Sequence, residues 1–425
     1  MATPWITADE AQARLGVKLQ TLNAYAARGL VAVRCDDGAA PRTLYCADDV
    51  ARLTQRKQVG REGVSATSAD RGDPTLTTSI STIVDGRPWY RGRDAIVMAR
   101  AATLEDTARL LWDCNEDPFL GLSPHPSAAA GGDARTRAFS VLAHRAATDP
   151  ATAGRSDAAL KRDAASVLID LVDAMCGASR NGLIHERLAK TWRIEAAKAD
   201  ILRRCLVLTA DHELNTSTFA ARVAASTGAS LAACALAGLS TLSGPLHGGM
   251  TLQVAAFVAE CRRTGEPRTA AALRLSQGLE VPGFGQQSYP GGDPRAKAIA
   301  EALAYSDDLR EIARIGENVT GASPNLDFAL VAATRTLGLP ADAAFTLFAI
   351  GRATGWIAHA IEQRQSQRPI RPRSNYVGRA PGSISPGVVN SPAPSPTPLQ
   401  RQTPVPAGDD AVPNGEAGQM ATGAG

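Results

Sequence analysis

Apolar residues recur at a helical spacing along most of the chain beyond residue 95. Long stretches with a 3.6-residue period run from Ala158 to Met175, from Ala196 to Thr209 and from Ala296 to Ile315, and glycine and proline interrupt them. Such a period places the apolar side chains on one face of a helix. Strand patterns do not alternate with these segments, so the sequence predicts an all-α architecture.

One weakly polar run, from Ala224 to Leu242, is long enough to raise the question of a membrane span. It is rich in Ser, Thr, Gly and Ala rather than in Leu, Ile and Phe. Small side chains let helix backbones approach each other closely, whereas a span needs large apolar side chains facing lipid. We therefore expect a buried, closely packed helix here, and no membrane partner.

The N-terminal segment carries the pattern of two short helices followed by a hairpin. Thr7 can cap a helix in which Glu10 stands three residues later, a capping-box signature, and Gly16 can end that helix. A second helix is predicted from Leu19 to Ala27, and a hairpin-like stretch follows from Arg34 to Tyr45.

This order, with a further helix predicted from Asp48 to Gln55, resembles a MerR-type or excisionase-like winged helix-turn-helix domain over residues 1–58. The residues that carry the resemblance are Ala11, Leu15, Gly16, Val17, Thr21, Leu22, Tyr25, Gly29, Leu30 and Tyr45. Such a module reads DNA when its second helix presents polar and basic side chains to the major groove. Between Met1 and Gly60, however, eight Lys and Arg stand against six Asp and Glu, a small excess. DNA binding and a purely structural appendage both stay open.

Two segments have the composition of linkers rather than of folded domains. Gln58 to Pro74 is rich in Gly, Ser, Thr and charge, and we assign residues 59–77 as a linker. Nine of the 26 prolines fall between Pro381 and Gly425, among small and polar residues. Too few large apolar residues remain there to order the chain, so we expect a disordered tail over residues 379–425.

The overall composition argues for a cytoplasmic protein without a metal centre. A formal net charge of +3 over 425 residues indicates no bulk affinity for nucleic acid or for anionic membranes. The seven cysteines are widely spread and contain no C-x-x-C pair, so neither disulfides nor a zinc site are predicted. The first residues lack the basic start and apolar run of a signal peptide, which favours a cytoplasmic location.

Three motifs carry candidate chemistry: Gly-Pro-Leu-His-Gly-Gly at 244–249, Gly-Phe-Gly-Gln at 283–286 running into Asp-Pro-Arg at 293–295, and Pro-Asn-Leu-Asp at 324–327. In this order they resemble the citrate synthase family, and the resemblance covers residues 78–378. It implies a large helical domain with a small domain inserted at about 250–332, a homodimer, and a cleft that closes over oxaloacetate. Acetyl-CoA and oxaloacetate are the implied substrates, and no cofactor is implied.

The resemblance assigns the acid/base chemistry to Asp327 and His247. Asp327 matches the family's base, which removes the methyl proton of the thioester, and burial would raise its basicity. His247 matches the residue that hydrogen-bonds the thioester oxygen. Considered alone, a carboxylate after Pro-Asn is commonly a helix cap, and a histidine in a glycine-rich turn is commonly structural.

Binding of the dicarboxylate is assigned by resemblance to His212, Arg295, Arg352 and Arg371, the last reaching the site from the partner subunit. A planar guanidinium can hold a carboxylate with two parallel hydrogen bonds. A surface arginine is the alternative for each one. Metal ligation by the Asp-His-Glu run at 211–213 is disfavoured, since no other His or Cys lies at a ligand spacing nearby.

Gln286 departs from the family pattern, which has a second histidine there to donate to the ketone oxygen. A glutamine amide can donate a hydrogen bond but cannot deliver a proton. Gln286 therefore argues, in declining order, for a slow or retuned citrate synthase, an enzyme that uses a different 2-oxo acid, and a ligand-binding relative that has lost catalysis. A 2-methylcitrate synthase-type acyltransferase that uses another acyl-CoA is a separate alternative. In a rival hypothesis the protein is a DNA-binding regulator that senses a dicarboxylate or CoA.

Phosphate-binding and dinucleotide-binding motifs are absent from the sequence. By resemblance alone, Val281 to Gly285 match a loop that contacts CoA. The other histidines have no partner motif, and His359 is interpreted as a helix-packing residue. These histidines are His125, His144, His185 and His359.

Overall fold

The structure is a computed structural model. It describes residues 5–17, 19–27, 31–36, 42–51, 76–122, 131–176, 182–366, 368–372 and 377. The chain divides into two compact units, Met1–Arg373 and Ser374–Gly425, and residue 377 is the part of the second unit that is described. The predicted tail and most of the predicted linker therefore lie outside the described residues.

The N-terminal segment forms two helices and a three-stranded antiparallel sheet. Its elements are β1 (Trp5–Ile6), α1 (Ala8–Leu15), α2 (Leu19–Ala27), β2 (Val33–Asp36) and β3 (Arg42–Cys46), with strand order β1-β3-β2. The hairpin register pairs Val33 with Tyr45 and Asp36 with Arg42. Residues 47–51 are helical, and the rest of the helix predicted there lies outside the described residues.

The predicted capping box is confirmed at the start of α1. The Thr7 hydroxyl accepts from the Glu10 backbone N–H, and the Glu10 side chain accepts from the Thr7 N–H. Gly16 ends the helix at a φ of 61°, a left-handed conformation that glycine adopts at low cost. The segment has an apolar core of its own, which includes Ala11, Leu22 and Val50.

A second antiparallel sheet opens the larger body. It consists of β4 (Ser81–Val84), β5 (Arg87–Tyr90) and β6 (Arg93–Asp94). Strands β4 and β5 form a hairpin, and the turn between them carries Asp85 and Gly86 at positive φ.

Beyond residue 94 the body is mostly helical, as predicted. Its helices are α3 (Ala95–Met98), α4 (Leu104–Leu111), α5 (Ala134–Thr148), α6 (Asp157–Cys176), α7 (Ile184–Thr191), α8 (Ala199–Thr209), α9 (Thr216–Ser226), α10 (Leu231–Leu242), α11 (Met250–Thr264), α12 (Pro267–Ser276), α13 (Pro294–Ala302), α14 (Asp307–Thr320), α15 (Leu326–Thr336) and α16 (Ala343–Ser366). Helices α11 to α15 pack mainly on one another.

Helix α16 lies at the centre of the core and packs on α8, α9 and α10. Nearly all of its side chains are buried, polar ones included. Glycines allow these contacts: a Cβ at Gly351 would overlap Thr209, and one at Gly355 would overlap the Asp211 carboxylate. The close approach of α16 to the end of α8 brings polar groups of the two helices together.

Three predicted helical stretches are wrong in extent. The run from Ala296 to Ile315 is two helices, because Leu303 turns extended and Ser306 starts α14. The run from Ala224 to Leu242 is also two, because Gly228 has a φ of 82° and Ser230 caps α10. The predicted start at Ala196 is a short 3-10 turn that precedes α8. In each case start and stop residues override a periodicity that continues across them.

Within the described residues, no helix is both long and apolar enough to cross a membrane.

Candidate active site

A cleft of about 1150 Å³ opens between the ends of several body helices. Six of the seven predicted site residues line it: His212, His247, Gln286, Arg295, Asp327 and Arg352. Arg371 is the exception, because it is exposed in the segment 368–372 and does not line the cleft of this chain. Val281 and Gly285, from the loop matched to CoA contacts, lie in the wall.

His247 is held in a tight turn between α10 and α11. The His247 N–H donates to the Gly244 carbonyl at 3.0 Å, and the Gly249 N–H donates to Leu242 at 3.0 Å. A Cβ at Gly248 or Gly249 would lie only 2.7 Å or 2.6 Å from neighbouring atoms. The turn therefore requires both glycines, and it fixes the imidazole at the cleft wall.

The imidazole of His247 is neutral at physiological pH. Burial lowers its pKa to about 4, and the positive charge of Arg352 adds to that effect. Its Nε2 atom lies 2.8 Å from the Ser217 hydroxyl, and its ring meets the Phe348 ring edge-on at 6.1 Å. A neutral imidazole can donate one hydrogen bond to a ligand without releasing a proton.

Asp327 lies in the first turn of α15 but does not cap it. Asn325 is the cap, and its side-chain oxygen accepts from the N–H groups of Asp327 and Phe328 at 3.0 Å and 3.3 Å. The Oδ1 atom of Asp327 is buried and finds no hydrogen-bond partner in the part of the chain that the structure describes. Burial raises the pKa of Asp327 to about 7, against the opposing effect of Arg295. Such a carboxylate can accept a proton near neutral pH.

Arg295 is fully enclosed beside its own counter-ion. Its Nε and Nη2 donate to the two oxygens of Asp293 at 2.9 Å and 2.8 Å, and its guanidinium lies 5.0 Å above the Tyr289 ring. Burial would lower the pKa of Arg295, but the Asp293 charge outweighs it and raises that pKa. A permanent cation thus faces the cleft.

Arg352 is the second buried cation of the cleft, at 1% exposure. Its Nε donates to the Thr209 carbonyl at 2.9 Å, and its guanidinium lies 5.0 Å from the Phe348 ring. Burial lowers its pKa to about 10, and Asp211 opposes that shift. Arg352 therefore stays charged at neutral pH.

His212 lies just beyond the C-terminal end of α8. Its Nε2 is 3.1 Å from the Tyr289 hydroxyl. Burial, followed by the charges of Arg295 and Arg352, holds the pKa of His212 well below its usual value. The described residues contain no group of three or more His, Cys, Asp or Glu side chains that could hold a metal ion.

Gln286 occupies the loop between α12 and α13. Its side-chain oxygen accepts from the Ser288 N–H at 3.4 Å, which leaves the amide N–H groups for a ligand. Gly285, just before it, has a φ of 78° and a Cβ there would lie 3.4 Å from Ala322. The side-chain amide of Gln286 is therefore an uncharged hydrogen-bond donor in this loop.

A buried polar network behind the cleft was not foreseen. Asp211 accepts from His359 Nε2 at 3.1 Å and from the Ser81 hydroxyl, and both Asp211 and His359 are fully buried. Burial would raise the pKa of Asp211, but His359 and Arg352 outweigh it and hold that pKa low. A sequence signal exists on α16, where Arg352, Gly355 and His359 share one helix face.

Comparison with known proteins identifies the family of this chain. A family model described as citrate synthase, C-terminal domain, matches residues 137–373, more than half of the chain. The chain belongs to the citrate synthase family.

Curated citrate synthase relatives match the chain in part. Citrate synthase of Haloferax volcanii is 38% identical over 42% of this chain and 50% of its own length. Citrate synthase 2 of Bacillus subtilis is 35% identical over 43% and 51%, and 2-methylcitrate synthase of Shewanella oneidensis is 34% identical over 43% and 51%. The chain thus spans about half the length of these curated relatives.

Solved citrate synthase structures share the fold over a longer range. The crystal structure from Thermotoga maritima aligns with a TM-score of 0.60 at 25% identity, over 72% of this chain and 94% of that one. The ternary complex of the Thermoplasma acidophilum enzyme with carboxymethyl coenzyme A and oxaloacetate aligns with a TM-score of 0.62 at 23% identity, over 76% and 99%.

Proposed function

We propose that this protein is a citrate synthase that condenses acetyl-CoA with oxaloacetate and water to give citrate and CoA. One observation carries the proposal: Asp327, with a raised pKa and an Oδ1 atom that has no partner among the described residues, lines the same cleft as the neutral imidazole of His247. Removal of a proton next to a thioester needs a base and a donor for the enolate oxygen.

In the proposed reaction Asp327 takes a proton from the acetyl methyl group. A hydrogen bond from His247 stabilises the negative charge that develops on the thioester oxygen. The carbon of this enolate then attacks the ketone carbon of oxaloacetate, and a C–C bond forms as the ketone oxygen becomes an alkoxide. Water finally cleaves the thioester and releases CoA as the free thiol.

The arginines and His212 account for the second substrate. Oxaloacetate carries two carboxylates, and Arg295 and Arg352 supply two buried cations in the cleft. Gln286 would donate an amide N–H to the ketone oxygen, an interaction worth roughly 3–4 kcal/mol in the transition state. Because an amide cannot release its proton, the proton for the alkoxide must come from water or from another group in the cleft.

Propionyl-CoA is a second candidate acyl donor, because relatives of similar identity include a 2-methylcitrate synthase. The first two steps are the same for a propionyl thioester, whose α-carbon carries one methyl group more. The acyl preference therefore depends on space near Asp327 and His247 rather than on different acid/base groups.

The regulator hypothesis has less support. The helix that a helix-turn-helix module places in the major groove corresponds to α2, and no Lys or Arg occurs between Leu19 and Ala27. A sensor without catalysis would also need no base such as Asp327. We therefore do not propose DNA binding.

Release of free thiol from acetyl-CoA and from propionyl-CoA, each with and without oxaloacetate, tests the proposed function. Oxaloacetate-dependent release supports it, and the preferred thioester decides between the two acyl donors. Arg352→Gln is the control, because it should weaken oxaloacetate binding by leaving one carboxylate without a cation. Oxaloacetate that binds without thiol release would refute the synthase proposal.

We further propose that the enzyme is a homodimer in which Arg371 completes the partner's site. Asp327→Asn and Arg371→Gln homodimers should each be nearly inactive. In a hybrid dimer one site would carry both defects and the other neither, so mixing and refolding should restore about a quarter of wild-type turnover. No recovery, with hybrids present by mass, would refute the role of Arg371 across the interface.

A further inference from the structure

Trp356 is a buried indole behind the cleft, wedged between two helices. It is 0% exposed and does not line the cleft. Its ring lies on α10 where Gly238 has no side chain, and a Cβ at Gly238 would overlap the indole. Its Nε1–H donates to the Ser217 hydroxyl on α9 at 3.1 Å. The indole therefore contacts a group that itself contacts His247.

The Ser217 hydroxyl has three polar neighbours and one proton to share among them. They are Trp356 Nε1 at 3.1 Å, His247 Nε2 at 2.8 Å and Asn215 Oδ1 at 2.8 Å. The indole N–H is a donor only, so it takes one of the two lone pairs of the hydroxyl. The hydroxyl proton must then go either to Asn215 or to His247.

Asn215 has little need of this proton. Its Oδ1 already accepts from the N–H groups of Ser217 and Thr218, both at 3.2 Å, as the cap of α9. Its Nδ2 donates to the His212 carbonyl at 3.1 Å and to the Thr218 hydroxyl at 3.0 Å, so the orientation of the amide is determined. The hydroxyl proton is therefore available to His247 Nε2.

The direction of the hydrogen bond between Ser217 and His247 decides whether His247 offers the cleft an N–H donor or a lone pair. If Nε2 accepts, the neutral imidazole carries its proton on Nδ1 and can donate it to a ligand oxygen. If Nε2 donates, Nδ1 presents a lone pair and repels a carbonyl oxygen. A hydroxyl that receives the indole N–H is also a better donor, since hydrogen bonds in a chain polarise one another.

We propose that Trp356 is a positioning residue: through Ser217 it keeps His247 in the Nδ1–H tautomer that a thioester oxygen requires. The inference rests on the proposed synthase function. Trp356 touches no substrate, and its effect is confined to the step in which negative charge appears on the thioester oxygen.

The chain offers a matched control for a Trp356 variant. Trp112 is equally buried, at 1% exposure, and its Nε1–H donates to the Thr354 carbonyl on the same helix α16 at 3.0 Å. Trp112→Phe and Trp356→Phe thus each remove one buried indole N–H bond and a similar volume. Trp356→Phe should lower kcat about 3- to 10-fold with the KM for oxaloacetate unchanged, as expected for one lost hydrogen bond. Trp112→Phe should leave kcat within about 2-fold.

A double-mutant cycle shows whether Trp356 acts through Ser217. In a Ser217→Ala background no hydroxyl remains to be oriented, so Trp356→Phe should change kcat less than about 2-fold. The same loss in both backgrounds, or equal losses for Trp112→Phe and Trp356→Phe, would overturn the proposal in favour of simple packing.

The tautomer itself can be observed by NMR of protein labelled with ¹⁵N in its histidine rings, with the His247 signals assigned from a His247→Asn variant. The wild-type spectrum should show a protonated Nδ1 and an unprotonated Nε2, and Trp356→Phe should show a mixture. A wild-type Nε2–H tautomer would overturn the proposal even if no variant folds. Absence of thiol release with the expected tautomer would instead refute the proposed function.

Discussion

Asp293 joins the buried cation Arg295 to the helix that carries the candidate base. One of its oxygens accepts from Arg295 Nη2 at 2.8 Å, and the same Oδ2 accepts from the Leu326 backbone N–H at 3.1 Å, one residue before Asp327. The carboxylate that pairs with Arg295 therefore also fixes the start of α15. The proposed substrate-binding cation and the proposed base are thus held by one carboxylate.

Asp327→Asn should lower turnover by about 100- to 10,000-fold, because an amide cannot accept the methyl proton. Binding of oxaloacetate should persist, since Arg295 and Arg352 are unchanged. Thiol release measures the first effect, and calorimetric titration with oxaloacetate measures the second. Turnover within 10-fold of wild type would refute the role of Asp327 as the base.

The same variant should stabilise the protein, and more so at high pH. The folded-state pKa of Asp327 is raised to about 7, whereas that of an unfolded Asp is about 3.9. Protonation of Asp327 therefore contributes its full share to the unfolding free energy of the wild type below pH 4, and this share is lost as pH rises to 7. Allowing for solvent at the cleft, the gain in unfolding free energy from Asp327→Asn should be about 1–3 kcal/mol larger at pH 8 than at pH 5.

Urea unfolding of the variant and the wild type at both pH values measures this difference. Asp307→Asn is the control, because it makes the same substitution at a side chain that is 92% exposed. A difference that is the same at pH 5 and pH 8 would mean that Asp327 is not destabilised by its burial.

The pH profile of kcat/KM should follow the protonation of Asp327. The base works as the carboxylate, so the rate should fall about tenfold per pH unit below pH 7 and level off above it. His247 should not contribute a second limb above pH 5, because burial lowers its pKa to about 4. A profile that is flat between pH 5.5 and pH 7 would assign proton removal to another group.

Gln286→His should raise turnover with oxaloacetate, because a histidine can donate a proton to the alkoxide as well as a hydrogen bond. If proton delivery limits the rate, turnover should rise about 10-fold or more. Gln286→Ala, which removes the donor, should lower turnover about 100-fold. Steady-state thiol release measures both variants, and an unchanged or lower rate for Gln286→His would show that the site is adapted to glutamine.

Gly316→Ala should disturb the loop that holds Gln286. A Cβ at Gly316 on α14 would overlap the ring of Phe284, which lies 5.4 Å from the Phe328 ring. We expect a loss of about 1–3 kcal/mol in unfolding free energy, together with lower turnover. Gly291→Ala is the control in the loop that carries Gln286, since nothing lies within 4 Å of its added Cβ. Equal stability of the two variants would contradict the close packing of Phe284.

The sequence predicted the local features because each depends on neighbouring residues. Thr7 and Glu10, which form a capping box, stand only three residues apart, and the turn that holds His247 is only six residues long. Helical periodicity indicated a mostly helical body for the same reason. It was wrong between Ala296 and Ile315, where the period continues across Ser306 although the chain bends there.

The tertiary structure decided what these groups can do chemically. Asp327 and His247 have altered pKa values because distant helices exclude water from them, and no sequence pattern measures that exclusion. The contacts Ser217–Trp356 and Asp211–His359 join residues 139 and 148 positions apart. The sequence by itself determined which side chains are present and how each short segment turns. Hydrogen bonding and electrostatics depend on distance in space, so only the packing of α16 on α8, α9 and α10 brings these groups together.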